Sequence, residues 1–408
     1  MRILVFLVGV ALSLVSTSVR ADPPKHGLRA FVSEVLRNNP SLRARALARA
    51  AVQREASGAG LWPDPEASIM LDRVPERMDG EMPMLRYQLT QMLPFPGKLG
   101  LMEEALNWRG DAAQADANTR RLELILEAKR AYWMLLANRG SREINVAGRS
   151  LLTTIANAAL ARYGAGAGQH HEVTRAEVER DALDVEALDL AGERVAMVAM
   201  MNALRNRPAD TPIADPEEPL DEAGLQVPPL KALSAFARAR RPELARMRAM
   251  QREEESMARL ARRERYPDFM ASVWYNQMLG GEDTGGAMLG ATIPLFNVTR
   301  QNRLAEAADL RAGSAGNERA AMVSMIHFEV ADALRRVVTT TRTLELIANG
   351  ARPRARDSFM SSLSGYSAGA VDIVGVLQAW RALQGLEAAR IQTFKARLMA
   401  LADLERSI

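Results

Sequence analysis

Met84-Leu85-Arg86-Tyr87-Gln88-Leu89-Thr90-Gln91-Met92-Leu93-Pro94-Phe95-Pro96-Gly97-Lys98 decides the fold of this chain. Leu85, Tyr87, Leu89 and Leu93 alternate with Arg86, Gln88 and Thr90, the period of a strand with one apolar and one polar face. Two prolines and a glycine then stop the strand. From Lys98 to about Tyr163 there is no proline, and only Gly100, Gly110, Gly140 and Gly148 interrupt strong helix formers. At 1.5 Å per residue such a helix runs about 98 Å. That is several times a normal globular helix and the length of a coiled coil or tube wall.

Upstream, residues 66–74 alternate as well, with Ala67, Ile69 and Leu71 against Ser68, Met70 and Asp72. Residues 75–83 are charged and turn-like. Two strands of about ten residues around a polar loop suit a tilted membrane hairpin. Met70, Asp72, Arg86, Gln88 and Thr90 are then expected to face a lumen. Ile69, Leu71, Leu85, Tyr87, Leu89, Val273 and Tyr275 are expected to face lipid. A slip of one residue would exchange the two sets.

The same plan occurs twice. Asn39-Pro40-Ser41-Leu42 returns as Arg241-Pro242-Glu243-Leu244, and Trp62-Pro63-Asp64 as Tyr266-Pro267-Asp268. Leu93-Pro94-Phe95 returns as Ile293-Pro294-Leu295, and Tyr163-x-x-Gly166 as Tyr366-x-x-Gly369. The offsets are 202, 204, 200 and 203, in one order, which indicates an internal duplication. The first repeat covers 22–206: helix over 28–61 with a break allowed at Pro40, hairpin 66–93, long helix 98–163, turn 164–168 and return helix 171–206. A Pro-rich linker follows at 207–229. The second repeat covers 230–408: helix 230–266, hairpin 269–296 with strands 269–277 and 287–296 around the loop 279–286, long helix 297–363, turn 365–370 and return helix 371–407.

Composition narrows the setting. Residues 1–21 read as an export signal: Arg2, the apolar run 3–15, and small residues before a cleavage point after Ala21. Cysteine is absent, so disulfides, thiolate metal sites and a lipidated N-terminal cysteine are excluded. The charge of +4 falls to +2 when Arg2 and Arg20 leave, and it is interleaved, as in Arg252-Glu253-Glu254-Glu255. Interleaving indicates solvated helix faces rather than a nucleic-acid stripe. No other apolar run is long enough for a membrane helix, so a bilayer crossing would have to be a β-barrel.

Four strands cannot close a barrel, and lipid does not tolerate an open edge. Closure requires several copies; three give twelve strands, within the known range. The expected fold is therefore mainly α with transmembrane β: a trimeric twelve-stranded barrel continued by a twelve-helix coiled-coil tunnel. A soluble periplasmic coiled-coil scaffold is the alternative from these patterns alone.

The turn into the last helix, Gly365-Tyr366-Ser367-x-Gly369-x-Val371 followed by Val376-Leu377-x-Ala379, resembles the TolC-like outer-membrane efflux proteins over essentially the whole mature chain. Arg162-Tyr163-x-x-Gly166, with Val173 and Ala176, is its first-half counterpart. Leu93-Pro94-Phe95-Pro96-Gly97-Lys98 looks like the strand-to-helix corner of that family's heavy-metal branch. The resemblance implies a passive exit duct for drugs or metal cations, with a periplasmic adaptor and an inner-membrane pump as partners; a type I protein-secretion duct is the runner-up. It implies neither an enzyme nor a cofactor, and no catalytic constellation is visible.

By the same resemblance the two turns lie at the periplasmic tip, with Tyr163, Gly166, Glu172, Tyr366, Gly369, Asp372 and Gln378 as its working residues. Glu172 falls where the family has an acid that bonds a tyrosine of the neighbouring coil, and Tyr366 falls on that tyrosine. The family's two acidic rings map to Gly375 and Gln378, and its nearby arginine to Val371, so the acidic throat is not carried over. Asp372 offers a displaced ring or a helix cap. His170-His171 are weak metal candidates, since adjacent helical residues do not face one way.

Overall fold

The computed structural model describes residues 27–72, 83–218, 227–278, 281–293, 300 and 302–408. The expected leader, the residues 73–82 of the first loop and 294–299 of the second corner lie outside the described residues.

The 28–61 helix divides at Pro40 into α1 (Leu28–Asn38) and α2 (Pro40–Ala59). Asn39 is extended there. Its carboxamide oxygen accepts from Ser41 N at 3.0 Å, and Pro40 takes the first helical position, where no N–H is needed. The second repeat divides in the same way into α5 (Leu230–Arg240) and α6 (Pro242–Arg263).

The long helix α3 (Lys98–Gly164) is unbroken over 67 residues, and α4 (His170–Leu204) returns along it. The corresponding helix of the second repeat, expected over 297–363, is helical from Asn302 to Ser367 with a single widened turn inside it. It consists of α7 (Asn302–Leu346), a π segment (Ile347–Ala351) and α8 (Arg352–Ser367). Pro353 has no N–H for the carbonyl one turn back, and the widened turn just before it absorbs the lost bond. The last helix, α9, spans Ile373–Ser407.

The strands are β1 (Glu66–Asp72), β2 (Met84–Leu93), β3 (Asp268–Met278) and β4 (Thr284–Thr292). β4 starts earlier than expected. Gly285 and Gly286 are in the ladder rather than the loop, and a Cβ at Gly286 would strike the Trp274 ring at 2.5 Å. The two hairpins are joined: β2 pairs antiparallel with β3 from Met84↔Met278 to Leu93↔Phe269, giving one sheet of order β1-β2-β3-β4.

Directly opposed residues of antiparallel strands share a face. The rows Met70–Arg86–Asn276 and Glu66–Thr90–Ser272 therefore lie on one face, together with Asp72 and Gln88. The rows Ile69–Tyr87–Tyr275 and Ala67–Leu89–Val273 lie on the other, together with Leu71 and Leu85. Along β2 and β3 the polar face is the more covered one: Ser272 is 3% exposed, and Arg86 Nε donates to Asn276 Oδ1 at 3.0 Å, whereas β1 is exposed on both faces. The apolar face is bare, with Val273 at 55% and the Tyr87 and Tyr275 rings 6.5 Å apart.

Below the sheet the helices form two stacked layers. Nearest the strands the order is α2, α3, α6, α7; farther away it is α4, α3, α9 and then α7–α8. The sheet is fastened to the first layer where two of the repeated motifs meet. Phe95 stacks on Tyr266 at 4.6 Å, and Phe95 N and Lys98 Nζ donate to Asp268 Oδ1 at 2.7 and 2.8 Å. Gly97 adopts φ +87°, which a glycine takes without strain, and Arg263 Nη1 donates to Pro96 O at 2.7 Å. The Pro94–Lys98 corner is thus a joint between the repeats.

Candidate functional site at the helical tip

Both long coils end in turns of the same construction. At the first, Gly166 N donates to Tyr163 O at 3.0 Å and Ala167 N to Arg162 O at 2.9 Å. At the second, Gly369 N donates to Tyr366 O at 3.0 Å and Ala370 N to Gly365 O at 2.8 Å. These paired bonds end the helices through a left-handed residue, Gly166 at φ +71° and Gly369 at φ +79°.

The turns close over a core shared by α3, α4, α8 and α9, including Ile155, Ala176, Phe359, Val376 and Trp380. Tyr366 is wholly buried in it, and its Oη donates to Glu172 Oε2 at 3.0 Å. Burial first, and then the bond to the Glu172 carboxylate, push the Tyr366 phenol up to about 12, so it remains a neutral donor at every physiological pH.

Arg162 joins the two turns. Its guanidinium lies 4.8 Å over the Tyr366 ring, Nη1 donates to Tyr366 O at 2.5 Å and Nη2 to Ala167 O at 3.0 Å. Sequence reasoning quoted Arg162 within the motif and assigned it no role. Its only sequence signal is the contrast with Gly365, its counterpart in the second repeat. There a Cβ would strike Val371 Cγ2 at 2.7 Å. A second link omitted from the sequence reading is the Arg381–Glu179 ion pair, which joins α9 to α4.

The remaining candidates are more loosely placed. Asp372 is the N-cap of α9, accepting from Gly375 N at 2.8 Å. Gly375 is hemmed by Val371 Cγ1 and Asp372 Oδ1, at 3.0 and 3.2 Å from a built Cβ. Gln378 is exposed. Tyr163 is 46% exposed and meets the His170 ring edge-on at 5.6 Å. His171 is exposed, and among the described residues no three acidic or imidazole groups cluster tightly enough for a metal. A carboxylate, a phenol and a guanidinium in this arrangement can hold two turns together or release them. They offer no activated nucleophile.

A duplicated hairpin and long-helix chain, bare and apolar on one sheet face and turned back at a hydrogen-bonded tip, is the subunit of an outer-membrane channel. The chain belongs to the outer membrane efflux protein family, whose model matches residues 31–205 and 233–408. Solved channels share its fold. CusC superposes with a TM-score of 0.82 at 15% identity, covering 94% of this chain and 92% of that one. VceC of Vibrio cholerae gives 0.79 at 19%, covering 93% and 95%. The CmeC channel of Campylobacter jejuni gives 0.79 at 14%, covering 93% and 85%. A search of curated protein sequences found no match. The helical part of such channels stands in the periplasm and the strands in the outer membrane.

Proposed function

We propose that this chain is the exit duct of a tripartite efflux system. Three copies close a twelve-stranded barrel and a helical tunnel, which passively carries substrates handed on by a periplasmic adaptor and an inner-membrane pump. The observation that carries the reading is the inverted sheet, whose apolar face is bare while its polar face, along β2 and β3, is the more covered. In water that arrangement wastes apolar burial; in lipid it is the low-energy one. The sheet also has two free edges, β1 and β4, which lipid requires to be paired. The polar row Arg86, Gln88 and Thr90 then lines the lumen.

The tip is the gate. Glu172 and Tyr366 hold it shut, with Arg162 bridging the two turns. The cargo is a drug-like molecule or a metal cation selected by the pump.

Two measurements test this. Glu282→Cys, in the exposed second hairpin loop, is expected to react with a membrane-impermeant maleimide on intact cells. Reaction only after the outer membrane is permeabilised would end the barrel reading. In planar bilayers Tyr366→Phe is expected to raise the closed-state conductance, and an unchanged conductance would remove the gate role.

A further inference from the structure

On the sheet side of the tip core, α3, α8 and α9 part around a cavity of about 340 Å³. Sites for small organic molecules span about 300–1,000 Å³. The space has a cause in the sequence. On α3 it is bounded by Gly140, Ala147 and Gly148, which offer at most a methyl group. Opposite, the widened turn Ile347–Ala351 changes the phase of α8 relative to α7, and each residue added to a turn rotates the helix face by about 100°. α8 consequently packs on α9 and only marginally on α3.

The walls are apolar and partly aromatic: Leu151, Phe359, Leu383 and the Trp380 indole. Two polar groups stand out against them. Trp380 is 4% exposed, and its Nε1–H has no acceptor among the described residues. Buried N–H groups are rarely left in that condition. Arg356 is exposed and stands on the same face of α8 as Phe359 and Met360, three and four residues on. The two acids at the cavity are already taken, Glu387 by Arg352 at 2.6 Å and Arg390 at 3.2 Å, and Glu143 by Arg139 at 3.2 Å. Among the described residues Arg356 has no carboxylate partner.

The duplicated plan does not require these groups. The offset of 203 that matches Tyr163 to Tyr366 sets Glu177 against Trp380, Thr153 against Arg356 and Ala156 against Phe359. The first repeat builds its coil with no indole, guanidinium or aromatic ring at the equivalent positions.

We infer that this cavity binds a small aromatic carboxylate. The ring of the ligand packs on Phe359 and Trp380, where aromatic contact adds to apolar burial. Its carboxylate oxygens accept from Trp380 Nε1 and from the Arg356 guanidinium, whose fork suits a planar anion. A bound molecule then bridges α8 to α3 and α9, filling the gap that the π segment opens. The cavity is complete within one copy, so the inference goes beyond the duct reading and does not depend on it.

The test uses the full chain in lipid nanodiscs, titrated calorimetrically with 2-naphthoate and with its neutral isostere 2-naphthamide, against empty nanodiscs. Saturable binding of one naphthoate per copy is expected below about 1 mM, with the amide about tenfold weaker or more. Arg356→Gln and Trp380→Phe should each weaken naphthoate binding by about tenfold or more. Arg356 is exposed, so its variant leaves the core intact and decides the matter even if Trp380→Phe fails to fold. Heats no greater than those of empty nanodiscs would overturn the inference. So would equal affinity for the two probes, or parental affinity in either folded variant. The duct reading stands under each of these outcomes, because a tunnel conducts with or without the site.

Discussion

Tyr163 and Tyr366 begin the same motif, end equivalent coils and precede glycines of nearly equal φ, yet Tyr163 is half exposed and Tyr366 is wholly buried. The backbone of the two turns follows the motif, because the left-handed glycine and its paired bonds require only local residues. The fate of the side chain follows the neighbours. Arg162 precedes the first tyrosine and reaches across to cover the second, whereas Gly365 precedes the second and reaches nothing. A duplicated sequence has therefore given one turn that clamps and one that is clamped. The asymmetry rests on a single unmatched pair of residues.

The largest effect expected from breaking this contrast is in Tyr366→Ala. It empties a buried site and leaves Glu172 without its donor, at a cost of about 3–5 kcal/mol. Tyr163→Ala should cost less than about 1 kcal/mol, since half its surface is already in water. Thermal melts of the detergent-solubilised protein would compare them, and equal losses would deny the contrast. A proline moved into the first repeat tests the difference between the long helices. Ser150→Pro, at the position matching Pro353, removes a bond from unbroken α3 and should cost about 3 kcal/mol. Pro353→Ala should be nearly silent in the same melts, because the π segment has already absorbed the missing bond.

Tyr366→Phe removes only the bond to Glu172, worth about 1.5 kcal/mol for a part-buried carboxylate. Its stability loss should therefore be a fraction of that of Tyr366→Ala in paired melts. Gly369→Ala and Gly166→Ala each force a left-handed alanine at about 1 kcal/mol. The two should be nearly equal, because a Cβ at Gly369 would meet only the Arg162 guanidinium, in ordinary contact at 3.4 Å from Nη1, and one at Gly166 would meet nothing. The smallest effect is in titration. Tyr366 should lose its proton near pH 12, two units later than an ordinary tyrosine, and absorbance of the Tyr366→Phe variant would identify it. Its folded-state value is raised, so its stabilisation is whole below pH 10 and is lost as pH climbs from 10 through 12.

Much of this architecture could be read from the chain because its signals are local. The alternation of Leu85 to Thr90 gave the faces of β2, and Pro40 marked a break that the structure contains, whereas 230–266 was expected as one helix and divides at Pro242. Three features were not readable. The pairing of β2 with β3 joins residues nearly two hundred apart, and no local pattern specifies which strands become neighbours. The π segment arises from competition between Pro353 and the packing of α7 on α9, which propensity does not contain. The clamp by Arg162 depends on where the second turn lies in space. The acid and the tyrosine could be named from the family motif, whereas the cation that secures them belongs to the other turn.

The β2–β3 ladder has a kinetic consequence. Met84 cannot find Met278 until 194 further residues have followed it. Closing so long a loop is slow compared with zipping a hairpin or a coil. The first hairpin therefore waits through the synthesis and export of α3, α4, α5 and α6, with its β2 edge unpaired as well as its β1 edge. The sheet becomes a four-stranded unit only when the second half of the chain arrives. A chain truncated before Asp268 would leave the β2 edge permanently open, as a template for aggregation rather than a membrane wall.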